Sequence, residues 1–561
     1  MRNHETLFLR AKYAALPLSV LTMIGCNKEQ APQRPNIIVI MTDDHTMQAM
    51  SCYGSQLVET PNLDRLANEG MLFENCYVSN AISGPSRACI LTGKYSHING
   101  FTDNSRTFDG DQPTFPKMLH QAGYQTAIIG KWHLNSEPQG FDFWSVLVAQ
   151  GEYYAPLFIE NGVQKIEPGY VTDIITDKAI HWLDQRDKSR PFAMLYYHKA
   201  PHRNWMPAQR HLGLYNDHVF PEPYNLLDDY AGRGAAAHQQ AMEIGRDMWP
   251  EWDLKLMSPE EIARDYEDPK GNGSTDANKE DVMRANDWRS SLRQFQDAYN
   301  RMTEEQKARW TEAYAPRIAE YKKIKETLSP KELTRWKYQQ YMKDYCAVIK
   351  GVDENVGRLL DYLEKIGELD NTILVYTSDQ GFFLGEHGWF DKRFMYEECQ
   401  RTPLLIRYPK AVKAGTKSKA LAMNIDLAPT FLDFAGVAIP ADIQGRSLKK
   451  VLLAEGTAPK EWRKGVYYHY YEYPSWHSVK RHYGIRTAQY KLIHFYNDVD
   501  EWELYDLKHD PHEMQNVYNN PDYAVICKEL HAQLTALQQE CKDTDPMELK
   551  GEFFQGADSL K

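Results

Sequence analysis

Four uninterrupted apolar runs punctuate the chain: residues 36–41 (NIIVIM), 126–129 (TAII), 192–197 (FAMLYY) and 372–376 (TILVY). None alternates with polar residues, so each reads as a strand buried on both faces. Between them apolar positions recur at helical spacing. Leu63, Leu66 and Ala67 do so within 61–70, a similar pattern fills 116–123, and Val348, Val352, Val356, Leu359, Leu360 and Leu363 share one face of 345–367. Strands separated by helices predict an α/β fold with a large mixed, mostly parallel sheet flanked by helices.

In such sheets ligands bind beyond the carboxyl ends of the strands. Each run here ends in reactive residues: Thr42-Asp43-Asp44, Gly130-Lys131-Trp132-His133, His198-Lys199-Ala200-Pro201-His202 and Thr377-Ser378-Asp379-Gln380-Gly381. Taken singly these are a helix cap, loop residues, a surface histidine and a turn. Taken together they read as one site.

The run 83–93, Ser-Gly-Pro-Ser-Arg-Ala-Cys-Ile-Leu-Thr-Gly, adds a nucleophile. Pro85 suits the first turn of a helix, and residues four apart share a face, so Ser83 and Arg87 can address one pocket. The free N–H groups of that turn favour an anion. Asp43, Asp44, Asp379 and the amide oxygen of Gln380 make an all-oxygen donor set, suited to calcium or magnesium rather than zinc. Arg87, Lys131 and Lys392 supply fixed positive charge for an oxyanion, and His133 and His202 can move protons near neutral pH. A nucleophile, cations and an anion hole point to a phosphate or sulfate ester.

Bulk properties narrow the partners. The chain has 561 residues, 25% charged and 42% hydrophobic, which suits a globular protein of two domains. A net charge of -12 argues against nucleic acid. At the N-terminus Arg2, Arg10 and Lys12 flank an apolar stretch, 13–25, that is too short for a membrane span and ends at Met23-Ile24-Gly25-Cys26. This is similar to a bacterial lipobox, although Met23 departs from the commonest pattern. It predicts a signal peptide over 1–25, a lipid on Cys26, a tether over 26–33 and an exported lipoprotein, periplasmic or at the cell surface. Cys52, Cys76, Cys89, Cys346, Cys399, Cys527 and Cys541 remain; their odd number cannot all pair, and Cys527–Cys541 is a candidate bridge.

In order, Thr-Asp-Asp, Ser-x-Pro-Ser-Arg with its trailing Thr-Gly, Gly-Lys-Trp-His, Pro-His, Ser-Asp-x-Gly and Asp-Lys resemble the sulfatase family of the alkaline-phosphatase-like superfamily. The resemblance spans about 34–410. It implies that Ser83 is oxidised to formylglycine by a maturation enzyme of the anaerobic type. One hydroxyl of the aldehyde hydrate then attacks sulfur, with calcium held by Asp43, Asp44, Ser83, Asp379 and Gln380. Arg87, Lys131 and Lys392 neutralise charge, His202 protonates the leaving alcohol, and His133 collapses the sulfated intermediate. Gln380 departs from the asparagine that the family often carries. The closest rival is a phosphodiesterase or phosphatase of the same superfamily, which would need ligands for a second metal. A glycan-binding lipoprotein without catalysis is the non-enzyme alternative.

The block 381–393 (GFFLGEHGWFDKR) resembles bacterial N-acetylglucosamine-6-sulfatases acting on glycosaminoglycans. It offers His387, Trp389, Asp391 and Arg393 as sugar contacts, with core packing the alternative for Trp389. Residues 34–435 read as the catalytic domain, with 205–344 a charged, helical surface insertion. Residues 436–561 read as a smaller α+β domain with an antiparallel sheet completing the pocket. Within it the loop 474–482 (PSWHSVKRH) offers His477 to a sugar, or is a solvated basic loop.

Overall fold

The computed structural model describes residues 34–263 and 279–547. The predicted signal peptide, Cys26 and the 271–274 linker lie outside them. Ten strands form the main sheet. They are β1 (Asn36–Thr42), β2 (Met71–Phe73), β3 (Gln125–Lys131), β4 (Phe143–Leu147) and β5 (Leu157–Glu160). The others are β6 (Val163–Ile166), β7 (Phe192–Tyr197), β8 (Thr372–Ser378), β9 (Leu404–Arg407) and β10 (Thr416–Ser418). Their order is β10-β2-β9-β8-β1-β7-β3-β4-β5-β6. The five central strands, β8-β1-β7-β3-β4, are parallel, and antiparallel pairs flank them.

The continuous apolar runs are explained by what covers each face. Ile38 and Ile40 of β1 point towards α1 (Pro61–Glu69), α4 (Val171–Gln185) and α7 (Pro330–Lys365). Ile37, Val39 and Met41 point towards α2 (Ser83–Thr92), α3 (Phe115–Gln121) and α8 (Leu427–Ala435). All six apolar residues expected on one face of 345–367 lie in the first of these cores. Helix α7 starts with a capping box, Ser329 accepting from the Glu332 N–H at 3.4 Å and Pro330 filling the first turn.

Two glycines set the strand ends. Gly130, at φ +111°, lies so close to the Tyr197 carbonyl that a Cβ would collide with it. Gly381 donates to Cys399 O at 2.9 Å, and a Cβ there would strike the carbonyls of Glu398 and Arg401. Each lets a neighbouring backbone carbonyl approach closely beside Lys131 or Gln380.

The stretch 205–344 differs from a helical surface insertion. Residues 205–258 are mostly turns and loops, broken by Pro207, Pro221, Pro223, Gly232, Gly234 and Pro250, and they bury Trp205, Phe220, Leu226, Tyr230, Met242 and Trp252. The long helices follow in α5 (Lys279–Asn300), α6 (Glu304–Ile324) and α7, which runs through residue 344 without a break onto the sheet.

A second sheet comprises β11 (Gly465–Tyr470), β12 (His482–Thr487), β13 (Tyr490–Phe495) and β14 (Glu501–Asp506), antiparallel in sequence order. One face packs on α9 (Ala524–Cys541) through Leu492, Leu504, Leu530 and Leu534. The other, with Tyr468, Tyr470, Ile493 and Phe495, covers Trp389, Phe394 and Met395. Cys527 and Cys541 sit on α9 some 21 Å apart along its axis, so the candidate bridge is corrected. All seven described cysteines are free. Among the described residues no helix is long and apolar enough to cross a membrane.

Candidate active site

Register aligns the ends of the parallel strands, Thr42 beside Ser378, Met41 beside Tyr197, and Tyr197 beside Gly130. The reactive residues that follow therefore project from one edge of the sheet, and α2 starts against it. Ser83 Oγ donates to Asp43 Oδ1 at 3.0 Å. One turn later Arg87 Nε and Nη2 donate to Asp379 Oδ2 at 3.1 and 2.8 Å, while Nη1 donates to Lys131 O at 2.9 Å. Arg87 Nη2 also lies 3.6 Å from Asp43 Oδ2, so Ser83 and Arg87 do address one place. Lys131 Nζ donates to Asp43, and Lys392 Nζ donates to both oxygens of Asp44 at 2.6 and 2.7 Å. The Asp44 N–H donates to Asp379 Oδ1 at 3.2 Å and Gln380 Nε2 to Asp44 Oδ1 at 2.5 Å.

Three carboxylates and three cations thus share a volume almost closed to solvent. Burial raises Asp44 to about 6, against the pull of Lys392. It also drives Lys131 well below the usual lysine range, against the pull of Asp379. Such charges persist only when paired.

The donor set fits a hard divalent cation. Gln380 Oε1 is buried with no partner, because the amide spends its N–H on Asp44. Asp43, Asp44 and His202 offer ligand atoms within 4.8 Å of one another. Oxygen-rich ligation of this kind suits calcium or magnesium.

The two histidines occupy the less buried rim. His202 Nδ1 donates to Arg203 O at 2.7 Å, leaving Nε2 on the Asp44 side at 3.9 Å. His133 Nε2 lies 3.1 Å from Gln150 Nε2, and Gln150 Oε1 accepts from Lys131. An ammonium only donates, so the amide oxygen must face Lys131 and the amide N–H must donate to His133. Burial, then the positive charge of Lys131, holds both histidines well below their ordinary range. Gln150 escaped the sequence reading, although it follows the fifth parallel strand β4, where the same strand-end logic applies.

Of the sugar-contact candidates, two are corrected. Trp389 is fully buried, stacked on Phe394, Tyr396 and Tyr230 with centroids 4.8, 5.7 and 5.6 Å away, and Nε1 donates to Tyr230 Oη at 2.9 Å. His387 is equally buried, its Nδ1 accepting from Arg233 Nη1 at 2.6 Å and lying 3.3 Å from Asp228. Segment 228–233 covers both, through Asp228 and Arg233 on His387 and Tyr230 on Trp389.

Asp391, Arg393 and His477 do assemble beside Lys392. Asp391 Oδ1 accepts from Arg393 and from the Lys392 N–H, and Oδ2 lies 3.3 Å from His477 Nε2. His477 Nδ1 donates to Ala241 O at 2.7 Å, and Arg203 Nη1 approaches Nε2 at 3.2 Å. The solvated-loop alternative for 474–482 is corrected, since Lys480 and Arg481 are 4% and 6% exposed. Arg203, Asp228, Arg233 and Asp253 were missed because the chain pattern through 203–258 has no periodicity.

Comparison with known proteins agrees with this geometry. The family described as Sulfatase matches residues 35–437, and one described as N-sulphoglucosamine sulphohydrolase, C-terminal, matches 385–540. N-acetylglucosamine-6-O-sulfatase of Bacteroides thetaiotaomicron is 60% identical over 546 residues, covering 96% of this chain and 93% of that protein. Human N-acetylglucosamine-6-sulfatase is 26% identical, covering 81% of this chain and 71% of that one. Among solved structures, BT4656 in complex with its substrate D-glucosamine-2-N,6-O-disulfate superposes with a TM-score of 0.86 at 62% identity, covering 92% of this chain and all of that one.

Proposed function

The chain belongs to the sulfatase family of sulfuric ester hydrolases, and we propose that it removes the 6-O-sulfate of N-acetylglucosamine or glucosamine from heparin- or heparan-type fragments. The observation that carries this reading is the 60% identity, over almost the whole chain, to an N-acetylglucosamine-6-O-sulfatase. The substrate held by the 62%-identical structure supports a 6-sulfated glucosamine in particular.

Conversion of Ser83 to formylglycine, by a maturation enzyme of the anaerobic type, would supply a hydrated aldehyde as nucleophile towards sulfur. A calcium ion held by Asp43, Asp44, Asp379, Gln380 and residue 83 would supply charge that lowers the pKa of a hydroxyl there. Everything else falls to the chain's own side chains. Arg87, Lys131 and Lys392 are fixed in place by Asp379, Asp43 and Asp44, so they stabilise sulfuryl oxygens without having to reorganise. His202 has its Nδ1 proton tied to Arg203 O, so Nε2 is the atom that carries a proton to the leaving sugar oxygen. An arriving sulfate raises the affinity of that nitrogen for a proton, opposing the effect of burial. His133 takes a proton from residue 83 on Nε2 as sulfate leaves, the Gln150 amide releasing that nitrogen. Asp391, Arg393 and His477 hold sugar hydroxyls. The protein is exported and tethered by a lipid on Cys26.

The matured protein, offered a panel of sulfated mono- and disaccharides and a simple aryl sulfate, is expected to release sulfate fastest from N-acetylglucosamine or glucosamine 6-sulfate. Preference for the aryl ester, or for sulfate at another ring position, would overturn the substrate assignment.

A further inference from the structure

Just past β4 the chain turns at 148–151. The Gly151 N–H donates to Val148 O at 2.8 Å, and Ala149 and Gly151 take φ of +48° and +69°. Leu147, the last residue of β4, pairs in register with Lys131, the last of β3, so the turn sets Gln150 beside the Lys131–His133 strand end. There Gln150 Oε1 accepts from Lys131 Nζ, and Gln150 Nε2 lies 3.1 Å from His133 Nε2. His133 is itself at φ +56°, a conformation uncommon for a residue with a Cβ, and such strain persists only where the surroundings hold it.

These two contacts decide where the His133 proton sits. An amide has one oxygen that accepts and one nitrogen that donates, and the Lys131 ammonium claims the oxygen. The nitrogen is left to donate to His133 Nε2, which must therefore present its lone pair. In a neutral imidazole the proton is then on Nδ1. Among the described residues Nδ1 is buried without a partner, so Gln150 makes the one hydrogen bond that chooses the tautomer. Without it the ring could carry its proton on Nε2, where it cannot act as a base.

We propose that Gln150 is a positioning residue for the release of sulfate: oriented by Lys131, it keeps the His133 proton on Nδ1 and the Nε2 lone pair ready for the proton of residue 83. This rests on the sulfatase mechanism proposed above. In that step the residue-83 hydroxyl gives its proton to Nε2, its O–H pair closes the carbonyl, and the pair of the breaking C–O bond leaves with sulfate. At rest the Gln150 N–H stands in for that hydroxyl. The same Lys131 that meets the sulfuryl group thus prepares, through one amide, the base that ends the cycle.

Two measurements test this. In unconverted protein, which keeps Ser83, long-range proton–nitrogen spectra of chain labelled at histidine show which ring nitrogen carries the proton, and His133→Asn identifies the signal. Wild type is expected with the proton on Nδ1. Gln150→Glu still offers Lys131 an acceptor but presents only oxygens to the ring, so its His133 proton is expected on Nε2. A wild type with the proton on Nε2, or a Gln150→Glu ring unchanged from wild type, would overturn the proposal. In matured protein, Gln150→Leu and wild type are compared by rapid quench on N-acetylglucosamine 6-sulfate, after thermal melting and the extent of Ser83 conversion show them equally folded and matured. The variant is expected to free its first equivalent of desulfated sugar at the wild-type rate and then slow, with kcat down about 100-fold. Equal slowing of the first and later turnovers, or no slowing at all, would also overturn it. Failure of the sulfatase reading shows separately, as a matured wild type that frees neither sugar nor sulfate, and the spectra of unconverted protein then still decide whether Gln150 sets the ring.

Discussion

Burial dominates the chemistry of single residues in this protein, and Glu503 isolates that effect away from the site. Its carboxylate is fully buried, accepts from Tyr396 Oη at 3.0 Å and from the Gly234 N–H at 3.4 Å, and is pushed up to about 7. A carboxyl that binds its proton more tightly when folded stabilises the fold fully below its ordinary value of 4.5. That contribution is lost as pH rises through 7. Glu503→Gln is therefore expected to melt higher than wild type at pH 8 and about level with it at pH 5. An equal difference at both pH values would contradict the assignment. Legibility at this scale was uneven. Ser83, Arg87, Lys131 and Asp379 were visible because each ends a strand or opens a helix. His387 and Trp389 share a segment with Asp391 and Arg393, and no period runs through it to say which side chains turn inwards.

At the scale of elements, the apolar runs predicted the parallel core because a strand covered on both faces has little room for polar residues. The segment 203–258 gave no such signal, since Trp, Pro and Gly hold it together through contacts distant in sequence. Its main clamp is Arg203, which donates to Asp253 at 2.6 and 2.8 Å while its guanidinium lies 5.0, 4.6 and 4.9 Å from the rings of Trp249, Trp252 and Phe390. The same guanidinium reaches His477, so this segment and the C-terminal loop are fixed together. Removing one partner strands a buried charge. Asp253→Ala is expected to lower unfolding stability by about 3–5 kcal/mol, whereas the double change Arg203→Met with Asp253→Leu costs less than that single change. Urea midpoints measure both. A double variant less stable than Asp253→Ala would show that the ion pair itself, rather than its disruption, decides stability.

For the molecule as a whole, a net charge of -12 surrounds a site where Arg87, Lys131 and Lys392 balance Asp43, Asp44 and Asp379, so an anion meets buried cations in the pocket and an acidic balance elsewhere. Export by way of Cys26 was read entirely from residues 1–33, outside the described structure. Cys26→Ala is expected to move the protein from the membrane fraction to the soluble one, and retention in the membrane would contradict a lipid tether. The central claim is that the encoded Ser83 is a precursor and that its oxidised form carries the sulfatase activity. The direct measurement is the mass of the peptide bearing residue 83, taken alongside the rate of sulfate release from the same preparations, made with and without the maturation enzyme. The account predicts a loss of two hydrogens from that peptide and a rate proportional to the fraction converted, with unconverted protein folded and nearly inert. Full activity in protein whose residue 83 is still serine would contradict it.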